Sequence, residues 1–402
     1  MTPAGQNSAF AGARSNLSSG APAVGGRRRR TSLHGPNRLR LGIFGANCSS
    51  GLAVTRVPER WDATWENNEA VARIADAAGI EFMLPIARWR GYGGATDFQH
   101  STFETITWAC GLLAATKDLT VFGTVHAPLI SPIVAAKQIV TADLMSRGRF
   151  GLNVVCGWNE DEFEMFSQAL REHDARYAFG QEWLDVVLGL WERERPFDYE
   201  GQFIQVKGCV GSPKPWGGSR PVLMNAGASG AGRSFGARNC DFLFTIVADL
   251  AKARDDVAEI KRLAARLGHE TLDVLTASYV VCRPTQREAE DYHHYYAVEN
   301  ADGYAVERLM TLQGQHTKGR PPELQQKFKE RFAGGHGSFP LVGSPDRIAE
   351  QLGQVAAAGL AGTTLSFVDY RAELPFFVAE VLPRLERMGL RLPARVPAEA
   401  IA

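Results

Sequence analysis

The sequence predicts an α/β fold, a closed (β/α)8 barrel of the TIM type with inserted segments. Eight short apolar or β-branched segments alternate with helix-like segments along most of the 402 residues. Parallel strands need helical crossovers, and a closed barrel accommodates eight such units in one domain of ordinary size. Two doubly wound α/β domains are the alternative, but no G-x-G-x-x-G turn follows the first predicted strand. The barrel is therefore the favoured architecture.

The predicted strands are short apolar runs bounded by Gly, Pro or polar turn residues. The fourth of them, from Phe150 to Cys156, begins after Gly148 and ends before Gly157. A short segment at residues 203–206 predicts an inserted hairpin outside the barrel. The eight barrel strands are predicted at residues 41–45, 82–86, 119–125, 150–156, 221–225, 241–247, 272–282 and 363–368.

Helices are predicted from apolar residues at helical spacing and from the residues that typically begin and end helices. Thr64 is a typical N-cap and Gly79 a typical stop for the first helix. Ser344 and Pro345 begin a late helix that Gly359 ends. The remaining predicted helices are 103–116, 132–145, 160–194 in two pieces, 229–238, a long charged region to about residue 332, and 373–388.

Composition and charge exclude several classes of function. Lys plus Arg equals Asp plus Glu, 44 each, so no net charge favours nucleic acid or a membrane surface. No apolar run has the length of a membrane span, and no signal-peptide core is present. The six cysteines are widely spaced, without a C-x-x-C pair, and no metal-ligand cluster is recognisable. We expect reduced thiols, no metal site and a cytoplasmic location.

Two regions are predicted from the change in composition near residue 36. Residues 1–36 are rich in Gly, Ala and Ser, carry four consecutive arginines at 27–30, and lack hydrophobic periodicity. We expect this segment to be a disordered, dispensable leader. Residues 37–402 are expected to form the barrel domain.

The ends of strands three to five are the expected position of a functional site, since barrel enzymes place their sites at this face. Thr124 and Asn153 lie near the ends of strands three and four, and an amide within an apolar strand must be satisfied by some partner. Ser229 begins a helix after the fifth strand, where it is either a simple cap or part of a phosphate site. Arg176 and Tyr177 could bind the same phosphate, with a surface pair to a nearby carboxylate as the alternative for the arginine. His126 is a further candidate, and no nucleophile or metal cluster is evident, which favours a cofactor-dependent reaction.

A set of short motifs in a fixed order makes the chain resemble bacterial-luciferase-like, flavin-dependent monooxygenases, in the branch with the pyrimidine and dimethylsulfone enzymes. The motifs span nearly all of the predicted barrel. They are Arg90-Gly91-Tyr92-Gly93, Ser131-Pro132, Gly148-Arg149-Phe150, Asn153-Val154-Val155 with Gly157-Trp158, Glu172-His173-Asp174 with Arg176-Tyr177, Ala226-Gly227 with Ser229, and Val342-Gly343-Ser344-Pro345.

The resemblance implies reduced FMN as a diffusible cosubstrate, a separate NAD(P)H-dependent flavin reductase, and a homo-oligomer, either a dimer or a tetramer. It implies that Ala87, Arg88, Asn153 and Glu162 lie along the flavin ring or its ribityl chain. Arg176, Tyr177 and Ser229 are implied to bind the phosphate. Thr124 and Asn153 are implied to be catalytic, because they resemble the pair that positions dioxygen beside the flavin in the pyrimidine branch.

The reaction implied by the resemblance is oxidation and cleavage of a small organic substrate by a flavin peroxide, at either carbon 4a or the central nitrogen. The segments 136–138 and 172–174 resemble the sulfone branch, whereas Thr124 resembles the pyrimidine branch. We expect an organosulfur substrate such as a sulfone or sulfonate. A pyrimidine, cyclic amide or halogenated substrate is the alternative, as are a deazaflavin-dependent oxidoreductase and a flavin-binding barrel without turnover.

Overall fold

A computed structural model describes residues 31–315 and 321–394 of the chain. Residues 1–30, which form most of the predicted leader at residues 1–36, lie outside the described residues. The strands, in chain order, are β1 (Arg40–Phe44), β2 (Phe82–Leu84), β3 (Thr120–His126), β4 (Phe150–Val155), β5 (Phe197–Glu200), β6 (Gln205–Cys209), β7 (Val222–Asn225), β8 (Phe242–Thr245), β9 (Asp273–Cys282), β10 (Phe339–Gly343) and β11 (Gly362–Ser366).

Eight of these strands form a closed parallel barrel, which confirms the predicted fold class. The hydrogen-bonded order is β1-β2-β3-β4-β7-β8-β9-β11, and β11 pairs with β1 to close the ring. These eight are the eight strands predicted from the sequence. The strands β5 and β6 form the predicted antiparallel hairpin, and β10 pairs in parallel with the long strand β9 outside the ring.

Helices surround the barrel and fill the insertions. They are α1 (Trp65–Ala77), α2 (Thr105–Ala115), α3 (Pro132–Met145), α4 (Glu160–Met165), α5 (His173–Glu192), α6 (Gly230–Asn239), α7 (Leu250–Arg266), α8 (Gln286–His294), α9 (Gly303–Leu312), α10 (Pro322–Gly335), α11 (Pro345–Ala357), α12 (Tyr370–Glu380) and α13 (Leu382–Arg387). No helix within the described ranges is both long and apolar enough to cross a bilayer.

Side-chain alternation along the strands separates two apolar regions. In β3, Val121 and Val125 belong to the large outer core against the helices, whereas Phe122 belongs to the core inside the barrel. Phe122 therefore shares the inner face with Thr124, two residues further along. Gly151 of β4 occupies the same inner face, and a Cβ there would lie 2.5 Å from the Phe122 ring. Asn153 follows Gly151 on that face, so the polar pair lies above an aromatic layer.

The N-terminal end of the barrel is closed by a residue that the prediction assigned to the leader. Residues Ser32–His34 form a short 3-10 helix, and Leu33 is fully buried in the inner core beside Phe82 and Phe242. The Ser32 hydroxyl donates to the Glu81 carbonyl at 2.7 Å. Residues 32–34 are thus held against the barrel by the Leu33 side chain and the Ser32 hydrogen bond, although the predicted leader extends to residue 36.

The segment between β9 and β11 forms a further apolar cluster, at one side of the barrel mouth and separate from the outer and inner cores. It includes α8, α9, α10 and β10, and it packs against the loop that follows β2. The buried members of the cluster include Tyr92 and Phe98 from that loop, Tyr279 from β9, and Tyr296 and Phe332 from the insertion. The insertion and the β2 loop thus share one core, which fixes both relative to the carboxyl ends of the strands.

Candidate active site

Thr124 and Asn153 form a buried polar pair at the carboxyl ends of the strands, and they are direct neighbours in the β3–β4 register. The Asn153 side-chain Nδ2 donates to Thr124 Oγ1 at 3.1 Å. Thr124 Oγ1 in turn donates to the Pro85 carbonyl at 2.8 Å. Both side chains are more than nine-tenths buried. The structure thus brings together the two residues that the sequence predicts as catalytic.

This chain of hydrogen bonds fixes the orientation of the Asn153 amide. The Pro85 carbonyl can only accept, so the single hydroxyl proton of Thr124 must point towards it. Thr124 Oγ1 then accepts from Asn153, which requires the amide nitrogen on that side. Asn153 Oδ1 is buried and has no hydrogen-bond partner among the described residues. A buried acceptor left in this state costs about 1–3 kcal/mol, which marks the position as suited to a ligand donor.

A buried ion pair forms a second part of the mouth. Arg88, in the loop after β2, donates from Nη1 to Glu162 Oε1 of α4 at 2.9 Å, and both side chains are almost fully buried. The same carboxylate oxygen accepts from the Trp89 backbone N–H at 2.9 Å. Ala87 immediately precedes this pair and is half-buried. Glu162 therefore connects α4 to the loop after β2 by hydrogen bonds, and Arg88 and Glu162 themselves are among the residues predicted to line the cofactor.

The guanidinium of Arg88 contacts two aromatic rings. Its carbon is 4.8 Å from the centre of the Tyr92 ring and 5.1 Å from that of Trp158. Such contacts stabilise a buried guanidinium by roughly 0.5–2 kcal/mol. Arg88 Nε is buried without a partner among the described residues, so the arginine retains one donor beyond its ion pair.

The three residues predicted to bind phosphate also lie together, on the neighbouring sector of the mouth. Ser229 caps α6 by accepting from the Gly232 backbone N–H at 3.1 Å, and Tyr177 of α5 lies close to the Ser229 side chain. Burial raises the pKa of Tyr177, so its phenol remains a donor at neutral pH. The predicted cap is confirmed, and the capping bond leaves the hydroxyl proton of Ser229 available to another acceptor.

Glycines bring the backbone of this sector close to Tyr177. A Cβ at Gly227 would lie 2.6 Å from the Gly232 Cα, and one at Gly232 would lie 2.6 Å from the Tyr177 hydroxyl. A side chain at either position would separate α6 from the tyrosine. The N-terminus of α6 offers partly positive backbone N–H groups, as anion sites at helix starts do.

Arg176 connects the two sectors. Its Nη1 donates to the Gly157 carbonyl at 2.7 Å, just after the strand that carries Asn153. The predicted alternative, a surface pair with Glu172 or Asp174, is not found among the described ion pairs of this chain. Arg176 Nε is buried without a partner in the described part of the chain. Arg176 therefore retains an N–H donor beside Tyr177 and Ser229, the other residues predicted to bind phosphate.

His126, the further candidate at the end of β3, is a buried neutral side chain. Burial lowers the pKa of His126 to about 4, with Glu162 and Arg88 as opposing smaller influences. The ring lies 6.5 Å from that of Phe163, edge to face. It is therefore uncharged at neutral pH.

Two polar groups of the mouth were not predicted. Tyr92 was recognised only as part of a motif, and His336 was not singled out at all, yet both carry buried polar atoms without partners among the described residues. The available signal for His336 was its position between Gly335 and Gly337, which is typical of an unusual turn. The packing that buries it depends on contacts distant in sequence.

Neither metal nor thiol chemistry is indicated by the described residues. No group of three or more potential His, Cys, Asp or Glu ligands lies together within residues 31–315 and 321–394. The six cysteines are free, and five of them are buried. Burial raises the pKa of Cys48 and Cys156 to about 12, so these thiols are protonated and unreactive at neutral pH.

A comparison with known families identifies the chain. The model of the family described as luciferase-like monooxygenase matches residues 39–362, which covers seven strands of the closed barrel and reaches the first residue of β11. The chain belongs to the luciferase-like monooxygenase family. The predicted resemblance is confirmed, and so is the assignment of the chain as a monooxygenase.

Relatives within the family align with this chain over most of its length. It is 30% identical over 359 residues to an FMNH2-dependent dimethylsulfone monooxygenase of Pseudomonas fluorescens, covering 88% of this chain and 96% of the relative. It is 27% identical over 352 residues to pyrimidine monooxygenase RutA of Stutzerimonas stutzeri, covering 86% and 96%. The crystal structure of riboflavin lyase RcaE, with modified FMN and riboflavin, superimposes with a TM-score of 0.79 at 21% identity, covering 90% of this chain and 94% of the other.

Proposed function

We propose that the chain is the oxygenase of a two-component system, which uses reduced FMN and dioxygen to oxidise and cleave a small organosulfur compound. The observation that carries the proposal is the buried Asn153 carbonyl oxygen, held without a partner by the Thr124–Pro85 chain. Two relatives that match most of this chain are named FMNH2-dependent dimethylsulfone monooxygenases. The substrate class rests on the dimethylsulfone enzymes among them.

The described residues fit reduced FMN in two chemical respects. A reduced isoalloxazine ring carries N–H donors, which match the unpartnered acceptor at Asn153. The FMN phosphate needs donors, which Tyr177, Ser229 and the unpartnered Arg176 Nε supply beside the start of α6. In this proposal Ala87, Arg88, Asn153 and Glu162 line the ring and ribityl region, and the second sector holds the phosphate.

Reduced FMN supplies the electrons that activate dioxygen, and the residues of the chain position the reactants. Asn153 directs its carbonyl oxygen into the mouth and needs no reorganisation to do so, because Thr124 holds its nitrogen. Thr124 is a positioning residue: its proton is engaged by Pro85, so it acts on the reaction through Asn153. This assigns Thr124 a less direct role than the sequence resemblance implies. The closed hydrophobic layer below the pair excludes water from that side.

A diffusible reduced cofactor requires a partner that produces it. A separate NAD(P)H-dependent flavin reductase meets this need, and we propose transient delivery from it. Homo-oligomerisation and a cytoplasmic location remain part of the same proposal.

The experiment supplies anaerobically reduced FMN and then dioxygen to the purified chain with a panel of sulfones, sulfonates, cyclic amides and haloalkanes. We expect substrate-dependent product, identified by mass spectrometry, with a sulfone among the converted compounds. If hydrogen peroxide and oxidised flavin form in equal amounts and every compound of the panel is recovered unchanged, the proposal is contradicted. Reduced deazaflavin replaces FMN in a parallel run, and turnover without dioxygen in that run would instead support a hydride-transfer enzyme.

A further inference from the structure

Tyr92 and His336 form a polar cluster beside Arg88 that the assignment of the cofactor site does not use. The Tyr92 and His336 rings are edge to face with centres 6.2 Å apart, and the Arg88 guanidinium lies over the Tyr92 ring. Tyr92 Oη and His336 Nε2 are both buried without partners among the described residues. Each of these unsatisfied groups costs about 1–3 kcal/mol, so a ligand that bonded both would recover a substantial free energy.

The backbone at His336 adds an independent observation. His336 ends α10 in the left-handed conformation, with φ 57° and ψ 30°. Glycine adopts this conformation without the cost of about 1 kcal/mol or more that other residues meet, and Gly335 and Gly337 flank the position. Histidine at this position is thus less favourable for the turn than glycine. Residues held in such conformations tend to cluster at functional sites.

The cluster lies at the mouth of the barrel. Arg88 connects it to Glu162 through the ion pair and to Trp158 through a ring contact. Trp158 comes shortly after the strand that carries Asn153. A ligand bonded to Tyr92 and His336 would therefore occupy the side of the mouth formed by the β2 loop and the insertion.

The charges around the cluster cancel. The Arg88 cation is paired with the Glu162 carboxylate at 2.9 Å. Burial raises the pKa of Tyr92 to about 12, and burial lowers the pKa of His336 to about 3, assisted by Arg88. Both side chains are neutral at neutral pH. Burying an additional, uncompensated charge in such surroundings is costly. Burying a neutral acceptor that Tyr92 and His336 can bond does not carry this cost.

We propose that Tyr92 and His336 bind an acceptor oxygen of a neutral substrate, such as a sulfone, sulfoxide or amide oxygen, and that this cluster disfavours sulfonates and carboxylates. The Tyr92 hydroxyl donates to that oxygen, and His336 donates in the tautomer that carries its proton on Nε2. The inference rests on the proposed function, since it names the substrate side of the same mouth.

The test measures binding separately from turnover. Isothermal titration with anaerobic enzyme and reduced FMN gives the Kd of dimethyl sulfone, sulfolane and 2-pyrrolidone, with methanesulfonate as the anionic probe of matched size. We expect at least one neutral probe to bind and methanesulfonate to bind at least tenfold more weakly than dimethyl sulfone. Failure of all three neutral probes to bind, or tighter binding of methanesulfonate, would overturn the inference.

Two variants test whether Tyr92 and His336 bind the oxygen of the neutral probe, and a third variant is the control. Tyr92→Phe removes one hydroxyl, and His336→Gly removes the imidazole while suiting the backbone. Each should raise the Kd of the neutral probe about fivefold to tenfold, with the Kd of FMN unchanged. Tyr199→Phe, on the outer hairpin, is the matched control and should leave both constants unchanged. If Tyr92→Phe and His336→Gly leave the probe's Kd unchanged, or weaken FMN in the same proportion, the groups serve the fold or the cofactor and the inference is wrong.

Turnover distinguishes this inference from the proposed function. A wild-type enzyme that binds dimethyl sulfone through Tyr92 but never oxygenates any substrate would contradict the monooxygenase proposal and support the binding cluster. An enzyme that oxygenates a sulfonate in preference to every neutral probe would support the monooxygenase proposal and overturn the assigned selectivity.

Discussion

At the residue scale, a single threonine proton determines which way the site asparagine points. Because the Pro85 carbonyl takes that proton, Asn153 must present its nitrogen to Thr124, and its oxygen is left without a partner among the described residues. The sequence indicates a polar residue at this strand position. It does not indicate the orientation of the amide, because Pro85 belongs to a different strand–loop unit.

We predict that Thr124→Val disrupts this chain of hydrogen bonds. The variant leaves the Pro85 carbonyl and the Asn153 amide without partners, so the free energy of unfolding should fall by about 1–3 kcal/mol. Oxygenated product per flavin oxidised should fall at least tenfold, since small displacements of positioned groups cost orders of magnitude in rate. Thr124→Ser keeps the hydroxyl, so it should retain most of the wild-type free energy of unfolding and most of the product yield. Equal product yields for Thr124→Val and the wild type would show that the threonine does not position Asn153.

The phosphate sector provides a second prediction at this scale. Tyr177→Phe removes one hydroxyl close to Ser229, and the Kd of reduced FMN should rise roughly tenfold or more, because bonds to charged groups contribute about 1.5–3 kcal/mol. Anaerobic fluorescence titration measures this constant. Riboflavin, which lacks the phosphate, is the control ligand, and its Kd should be the same for variant and wild type. A shift of equal size for riboflavin would place the hydroxyl away from the phosphate.

At the element scale, local signals predicted most of the architecture. Helix α3 begins at Pro132 and ends at Met145 as predicted, because proline at the first position and a terminal polar residue are local features. Helix α7 is absent from the prediction although its buried residues Ala253, Val257 and Ile260 recur at helical spacing. The sequence therefore carries the signal for this helix.

Elements that depend on distant partners were not predictable in the same way. Strand β10 contains Pro340, which is unusual inside a sheet, and it pairs only with β9 among the described strands. The burial of His336 likewise depends on the packing of the β2 loop against the insertion. Thr124 and Asn153 were predictable because strand ends and polar interruptions are visible locally.

The short N-terminal helix gives the prediction at this scale. A chain starting at Thr31 should melt at the same temperature as the full chain. A chain starting at Asn37 loses Leu33 and the Ser32 bond to Glu81, and its free energy of unfolding should fall by about 2–5 kcal/mol. Leu33→Ala in the full chain should reproduce most of that loss. Identical melting curves for both truncated chains would mean that the segment before Asn37 does not stabilise the barrel.

At the scale of the whole molecule, the two ends of the barrel differ in how their polar groups are satisfied. At the N-terminal end, Glu81 accepts from Arg391 at 2.8 Å and from the Leu41 backbone N–H at 2.8 Å. At the carboxyl end, Asn153, Arg88, Tyr92 and His336 retain unpartnered atoms among the described residues. Stability is concentrated at one end and binding capacity at the other, as in barrel enzymes generally.

The central claim is that the chain transfers oxygen from dioxygen to an organic substrate at the Asn153 side of this mouth, with electrons from reduced FMN. The most direct measurement is a single-turnover reaction of reduced FMN, enzyme and substrate with oxygen-18-labelled dioxygen, followed by mass spectrometry of the product. The account predicts that the wild type incorporates one labelled atom per flavin oxidised. Asn153→Ala should bind FMN within a few-fold of wild type but release hydrogen peroxide in place of labelled product. Product without label, or labelled product in equal yield from Asn153→Ala, would contradict the account.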